Sequence, residues 1–148
     1  MDTQQRNAAI VADFLANHPG VRNVFYPGHT SHTAHDVHQA QARGGGAVLS
    51  FLANSATVAK SIAETSKMFR ISMSFGSVTS TISIPARKSH ASVPSELLES
   101  RSIPESLLRL SVGIEDADDL IADLKHSLTT RRAANALLPG RADRRQGF

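Results

Sequence analysis

Residues 71–75 read Ile71-Ser72-Met73-Ser74-Phe75, and residues 107–112 read Leu107-Leu108-Arg109-Leu110-Ser111-Val112. Side chains on a strand alternate between faces, so each run predicts a strand with one apolar side. In the first, Ile71, Met73 and Phe75 take the core face while Ser72 and Ser74 take the other. In the second, Leu108, Leu110 and Val112 share the core face and Arg109 points away. Strands in one sheet would send a hydroxyl and a guanidinium out together. A guanidinium is a planar fork that matches a carboxylate in bidentate fashion, so Arg109 with Ser74 is a candidate anion site.

Outward from these runs, strands and helices intersperse. Thr3 to about Asn17 predicts a helix with Ile10, Val11, Phe14 and Leu15 on one stripe, stopped by His18-Pro19-Gly20. Val21–Tyr26 predicts a short strand, residues 33–42 a helix, and Ala47–Leu52 a strand after Gly44-Gly45-Gly46. A third helix is expected over 56–69, a strand over 81–84, and a short helix over 94–100. The last helix, 117–128, carries Leu120, Ile121, Leu124 and Leu128 on one side. Glu115, Asp116, Asp118 and Asp119 crowd its start, where unpaired amides and the dipole favour anions. Capping accounts for these acids, and no catalytic role is assigned to them. The regular rhythm of a parallel sheet is missing. The fold class is therefore α+β, a mainly antiparallel sheet with helices packed on one face.

Composition narrows the function classes. At 148 residues, 41% hydrophobic and 20% charged, the chain is of a size and make-up suited to one globular domain. No apolar run approaches the roughly 20 residues needed to span a bilayer, so no membrane partner is expected. Cysteine is absent, which excludes disulfides and thiolate metal sites. The net charge of +3 misleads, because Arg131, Arg132, Arg141, Arg144 and Arg145 against Asp143 give residues 130–148 a charge of +4. The part before them stands at −1, without the basic footprint of a nucleic-acid binder. Residues 130–148 are expected to be a solvated, disordered tail and residues 1–129 the domain.

Three segments carry a family resemblance: ISMSFGSVTSTISIPARKSHASVP (71–94), LLRLSVGIEDADDLIADL (107–124) and NVFYPGHTSHTAHDVHQAQARGGGAVLSF (23–51). In this order they resemble the C-terminal domain of the pyridoxal-phosphate enzymes of cysteine and methionine metabolism, over about Asn7 to Leu128. SFGSV and SHASVP are most similar to the plant and fungal cystathionine β-lyase branch. The resemblance implies the small C-terminal domain of a fold-type I enzyme. It implies that Arg109 grips the α-carboxylate of an amino-acid substrate. Ser74 would lie beside the lysine–cofactor linkage and help arrange the substrate end, and Gly76 would let the backbone turn close to that pocket.

Other residues invite sharper readings that the chemistry does not favour. His29, His32, His35 and His38 recur every third residue, but on a helix each step of three rotates by about −60°, so they fan out rather than converge on a metal. Gly44-Gly45-Gly46 precedes a strand, the reverse of a phosphate cradle, and reads as a connector. His90 with Ser89 and Ser92 lacks a neighbouring acid to complete a nucleophilic triad. Three departures from the family pattern stand out. Thr33 replaces a usual proline, Arg87 and Lys88 replace apolar residues, and Thr79 replaces the glutamate of the γ-lyase and γ-synthase branches.

A pyridoxal-phosphate lyase also needs a lysine, a phosphate-gripping turn and an aspartate against the pyridine nitrogen. By resemblance all belong to a large domain upstream, and Lys60, Lys67, Lys88 and Lys125 do not sit in the family's serine–threonine–lysine context. Met1 falls where the interdomain helix begins, so a C-terminal fragment without the large domain is expected. The implied reaction is α,β-elimination of L-cystathionine to homocysteine, pyruvate and ammonia in methionine biosynthesis. This chain alone is expected to be inactive and to hold no pyridoxal 5'-phosphate. A γ-lyase or γ-synthase fragment is one alternative, and a non-catalytic module docking on a full-length paralogue is the other. The family implies a homotetramer and a cytoplasmic enzyme, or an organellar one if a targeting segment preceded Met1.

Overall fold

Sheet and helices build two layers. The computed structural model describes residues 1–86 and 103–136, with side chains up to Thr129. In chain order the elements are α1 (Asp2–Ala16), β1 (Val21–Phe25), α2 (His35–Gln41), β2 (Val48–Ala53) and α3 (Ala56–Thr65). β3 (Arg70–Ile71), β4 (Thr81–Ser83), β5 (Leu107–Ser111) and α4 (Ala117–Ala136) follow. The five strands form one sheet in the order β1-β2-β5-β4-β3. Three of its pairings are antiparallel and the β3–β4 pairing is parallel, so the sheet is mixed with an antiparallel majority.

The alternation expected of β5 holds, and β2 shows the same pattern. Leu49, Phe51 and Ala53 face the helices from β2, and Leu108 and Leu110 do so from β5, all buried. Ile82 adds the same face of β4. Helix α1 covers this layer with Ala8, Val11, Ala12 and Leu15, which recur at i, i+3, i+4 and i+7. Ile10 and Phe14 flank that stripe and stay partly exposed, because two alanines let the helix axis approach the sheet closely. From α3 come Ala59, Ile62 and Ala63, and from α4 Leu120, Leu124 and Leu128.

The run 71–75 does not form the strand its alternation predicts. β3 ends at Ile71, and Ser72 donates its amide to the Ile82 carbonyl (3.1 Å) as the chain leaves the sheet. Ile71, Met73 and Phe75 remain 68%, 67% and 59% exposed, so they are not core residues. The cause is an edge strand of two residues followed by an arch over 72–79, in which Gly76 takes φ +88°. The α3 helix stops at Thr65 rather than 69, where Asp123 of α4 accepts the amides of Lys67 and Met68 (2.9 and 3.0 Å). Phe69 is buried all the same. Helix α4 runs past the expected end at residue 128 to Ala136, so the proposed 130–148 segment begins helical. The expected helix at 94–100, together with Arg87, Lys88, Ser89, His90, Ser92 and residues 137–148, lies outside the described residues.

His18, at the end of α1, gives the fold a pH dependence. Burial lowers its pKa below the ordinary 6.5, and Lys125 on α4 adds to the effect. Its Nδ1 also accepts the Gly20 amide (3.0 Å), which requires the unprotonated nitrogen. A histidine whose folded pKa lies below its unfolded pKa leaves the unfolded chain binding more protons in the window between them. Stability is therefore full above 6.5 and falls as pH drops through that window. Urea unfolding from pH 7.5 to 5.5 should show this loss, and His18→Gln should flatten it; an identical slope in the variant would contradict the role of His18.

Candidate functional site

Arg109 sits on β5, the central strand of the five. Its strand has a partner on each side, and its register neighbours are Ser50 on β2 and Ser83 on β4. Both neighbours are small, which leaves the long Arg109 side chain free to lie across the sheet. It does so toward β3: Arg109 Nη2 donates to the Met73 carbonyl at 3.2 Å. Since β4 lies between β5 and β3, the stem passes over Ser83, whose hydroxyl is buried with no hydrogen-bond partner. The guanidinium carbon stands 4.7 Å from the centre of the Phe75 ring, a cation–π distance.

Ser74 lies between those two contacts. Its amide donates to Ser72 Oγ (3.1 Å), and its carbonyl accepts from Thr81 Oγ1 (3.4 Å). The side chain is exposed on the arch. The arch, rather than the expected second strand, brings the segment around Ser74 to Arg109, through the Met73 carbonyl and the Phe75 ring. The next residue along β5 on the same face, Ser111, is buried, and its Oγ accepts the Gly76 amide at 3.0 Å. Gly76 therefore does turn the backbone beside the site. Phe75 and Ser111 escaped sequence reasoning. The aromatic slot after Ser74 and the period-two spacing of Ser111 from Arg109 were the signals for them.

A second cluster holds the far foot of the arch. Ser80, fully buried, gives its amide and its hydroxyl to the two oxygens of Glu115 (2.6 and 2.9 Å). Ser80 Oγ also accepts the Gly113 amide at 2.8 Å, and Val78 accepts the Ile114 amide at 2.9 Å. Gly113 has no room for a Cβ, which would meet the Val78 carbonyl. From α1, Asn7 Nδ2 donates to the Gly113 and Glu115 carbonyls (3.2 and 2.7 Å), and Gln4 Nε2 to the Ser77 carbonyl (2.8 Å). Glu115 is thus not a cap of α4; that task falls to Asp116, whose Oδ1 accepts the Asp118 amide at 2.9 Å.

The histidines go their separate ways. His29 Nε2 lies 2.8 Å from the Asp13 carboxylate, His32 Nδ1 accepts the Ala34 amide, His35 Nδ1 meets the Pro27 carbonyl, and His38 Nε2 the Gly44 carbonyl. Among the described residues no group of three acids or histidines is placed to hold a metal. Gly45 packs on the buried Tyr26 ring, whose hydroxyl reaches the Gly46 carbonyl (3.1 Å), so the glycine run closes a turn around an aromatic. Thr79 donates its amide to Ser77 Oγ within the arch.

The sequence profile described as "Cys/Met metabolism PLP-dependent enzyme" matches residues 1–129. The chain belongs to this family. It is 47% identical over 130 residues to the chloroplastic cystathionine beta-lyase of Arabidopsis thaliana, covering 88% of this chain and 28% of that one. With the cystathionine beta-lyase of Neurospora crassa it shares 46% over 140 residues, 95% of this chain and 30% of that one. A cystathionine gamma-lyase of Bacillus subtilis is 41% identical over 128 residues, covering 86% and 34%. Among solved structures, the cystathionine gamma synthase of Xanthomonas oryzae pv. oryzae, in complex with aminoacrylate and cysteine, superposes with a TM-score of 0.83. That pair is 34% identical, and the match covers 90% of this chain and 35% of the synthase. The chain thus spans about a third or less of the length of the cystathionine beta-lyases it matches. The family is pyridoxal-phosphate dependent, and the described part of the molecule shares the fold of about a third of the synthase chain. No helix among the described residues is long and apolar enough to cross a membrane.

The described lysines do not fit the cofactor. Lys60 Nζ faces Glu64 at 3.7 Å one helical turn away, Lys67 is held through its amide by Asp123, and Lys125 lies near His18 on the helix layer. Lys60 borders a pocket that Ser72 and Met73 line at the near foot of the arch, but it faces Glu64 there, and no chemical step is assigned to the cofactor through these residues. What the open face does offer is a cation for a carboxylate. Because Arg109 leaves the sheet on the side away from the core, Arg109→Gln should change folding stability by about 1 kcal/mol or less. Urea unfolding checks this. A loss beyond about 3 kcal/mol would make Arg109 a structural residue instead.

Proposed function

We propose that this chain is the substrate-gripping domain of a β-lyase-type carbon–sulfur lyase acting on L-cystathionine. The reaction is α,β-elimination to homocysteine, pyruvate and ammonia. One observation carries the reading: the Arg109 fork lies on the uncovered face, steadied by the Met73 carbonyl and the Phe75 ring. Arg109 holds the substrate α-carboxylate through two charge-assisted hydrogen bonds, and Ser74 borders the seat from the arch. Pyridoxal phosphate supplies the electron sink that makes Cα acidic when it is bound. The groups that hold it lie on a separate large domain, so this chain alone neither retains the cofactor nor turns over substrate. The similarity to plant and fungal cystathionine beta-lyases supports the β branch, and Thr79 in place of the family's γ-branch glutamate agrees with it.

A second reading has its own support. Ile71, Met73, Phe75 and Val78 form an exposed apolar strip along the arch, as a surface covered by more protein would. A non-catalytic module that docks on a full-length paralogue would use the same strip. The homotetramer and the cytoplasmic or organellar setting of the family belong to the first reading.

Fusion of the chain to the upstream part of the Arabidopsis relative tests the reading. With pyridoxal phosphate and L-cystathionine, the fusion should release pyruvate and the isolated chain none. Arg109→Gln in the fusion should raise KM by about 10²-fold, the usual cost of stripping one partner from a paired charge. Release of 2-oxobutyrate in place of pyruvate would move the chain to the γ-elimination branch. Turnover by the isolated chain, or an unchanged KM in the variant, would overturn the proposal.

A further inference from the structure

We propose that Glu115 is a positioning residue for the carboxylate seat, acting through Ser80 on the arch that carries Ser74 and Phe75. The inference rests on the reading of Arg109 given above and extends it to a group that touches no substrate.

The arch leaves the sheet at Ser72 and rejoins it at Thr81, and Arg109 meets it midway at Met73 and Phe75. An arch is only as fixed as its two feet. The first foot is the Ser72 amide on the Ile82 carbonyl, an ordinary strand bond. The second foot is built from a carboxylate. Both oxygens of Glu115 are engaged by Ser80, one by its amide at 2.6 Å and one by its hydroxyl at 2.9 Å. That hydroxyl in turn accepts the amide of Gly113.

Gly113 and Glu115 follow Arg109 on the same strand and its exit turn. The clamp therefore ties the arch to the segment that carries the guanidinium, not merely to the protein at large. Between the feet, Gly76 hangs on Ser111 Oγ, two residues beyond Arg109. Charge makes the second foot strong, since a carboxylate accepting an amide binds about twice as tightly as a neutral acceptor. Ser80 is fully buried and Glu115 half-buried, so water entering in place of the carboxylate would offer the Ser80 amide only a neutral acceptor. Loss of the carboxylate loosens the second foot, which keeps the Ile114 amide on the Val78 carbonyl and Gln4 on the Ser77 carbonyl, while leaving β2, α1 and the core contacts in place. The Met73–Gly76 stretch then drifts from Arg109, and the fork loses its orientation.

Amide hydrogen exchange on the full chain reads this directly. Glu115→Ala should speed exchange at Gly76 and Ser80 about tenfold or more relative to Phe51 in β2, and Glu115→Gln, which keeps an acceptor for the Ser80 amide, should restore most of the protection. Ser80→Ala provides a second variant should Glu115→Ala fail to fold, and should speed Gly76 in the same direction. Equal acceleration at Phe51 would mark a general structural role and overturn the proposal, as would unchanged exchange at Gly76.

In the fused enzyme Glu115→Ala should raise KM for L-cystathionine about tenfold, with a smaller change in kcat. If Arg109→Gln raises KM and Glu115→Ala does not, the positioning role fails while the carboxylate seat stands. If Arg109→Gln leaves KM unchanged, both fail.

Discussion

The hydrogen bond from Arg109 to the Met73 carbonyl is the interaction on which the open face depends. It joins a strand that is paired on both sides to an arch held by individual hydrogen bonds at its feet and at Gly76. β5 cannot shift without breaking its ladders to β2 and β4, so the root of the guanidinium is fixed by the sheet. The arch is held at its two feet and at Gly76, and the guanidinium meets it between them. Small neighbours make the crossing feasible: Ser50 and Ser83 flank Arg109 in register, and a bulky side chain at 83 would lie under its stem. Phe75 then limits the plane of the fork, leaving its remaining donors for an incoming anion.

Around that bond the molecule divides its labour between faces. The helix layer takes the apolar residues of β2, β4 and β5 and makes the domain stable. The other face keeps Arg109, the serines and the arch, whose large apolar side chains point outward. A chain that matches about a third or less of the cystathionine beta-lyases it resembles fits such a surface. The polar clamp of Ser80, Gly113 and Glu115 sits at the seam between the faces. It converts the ordered start of α4 into order within the arch.

Much of this was legible in the residues alone. The period-two pattern of β5 and the leucines of α4 name their buried face, whereas in α1 only Val11 and Leu15 of the expected stripe are buried and Ala8 and Ala12 complete it. Arg109 could be placed because a single cation interrupts an aliphatic strand. The run 71–75 misled because its alternation is as regular as that of β5, yet only Arg70 and Ile71 find a ladder partner. Alternation reports which residues could share a face, not whether a neighbouring strand is present to make the face. The parallel pairing of β3 with β4 was invisible for the same reason. Glu115 was read as one more acid at a helix start, and only the fold shows it turning back to Ser80, 35 residues away in sequence. Long-range polar contacts of this kind leave no periodic trace.

Nuclear magnetic resonance of the chain with ¹⁵N-labelled arginine offers the most direct measurement of the seat. On titration with L-cystathionine at constant ionic strength, the Arg109 Nε–H signal should shift saturably, and the Gly76 amide with it, while Arg6, Arg22 and Arg43 stay in place. Parallel small shifts at all the arginines, or a stationary Arg109 signal, would contradict a carboxylate seat on this face.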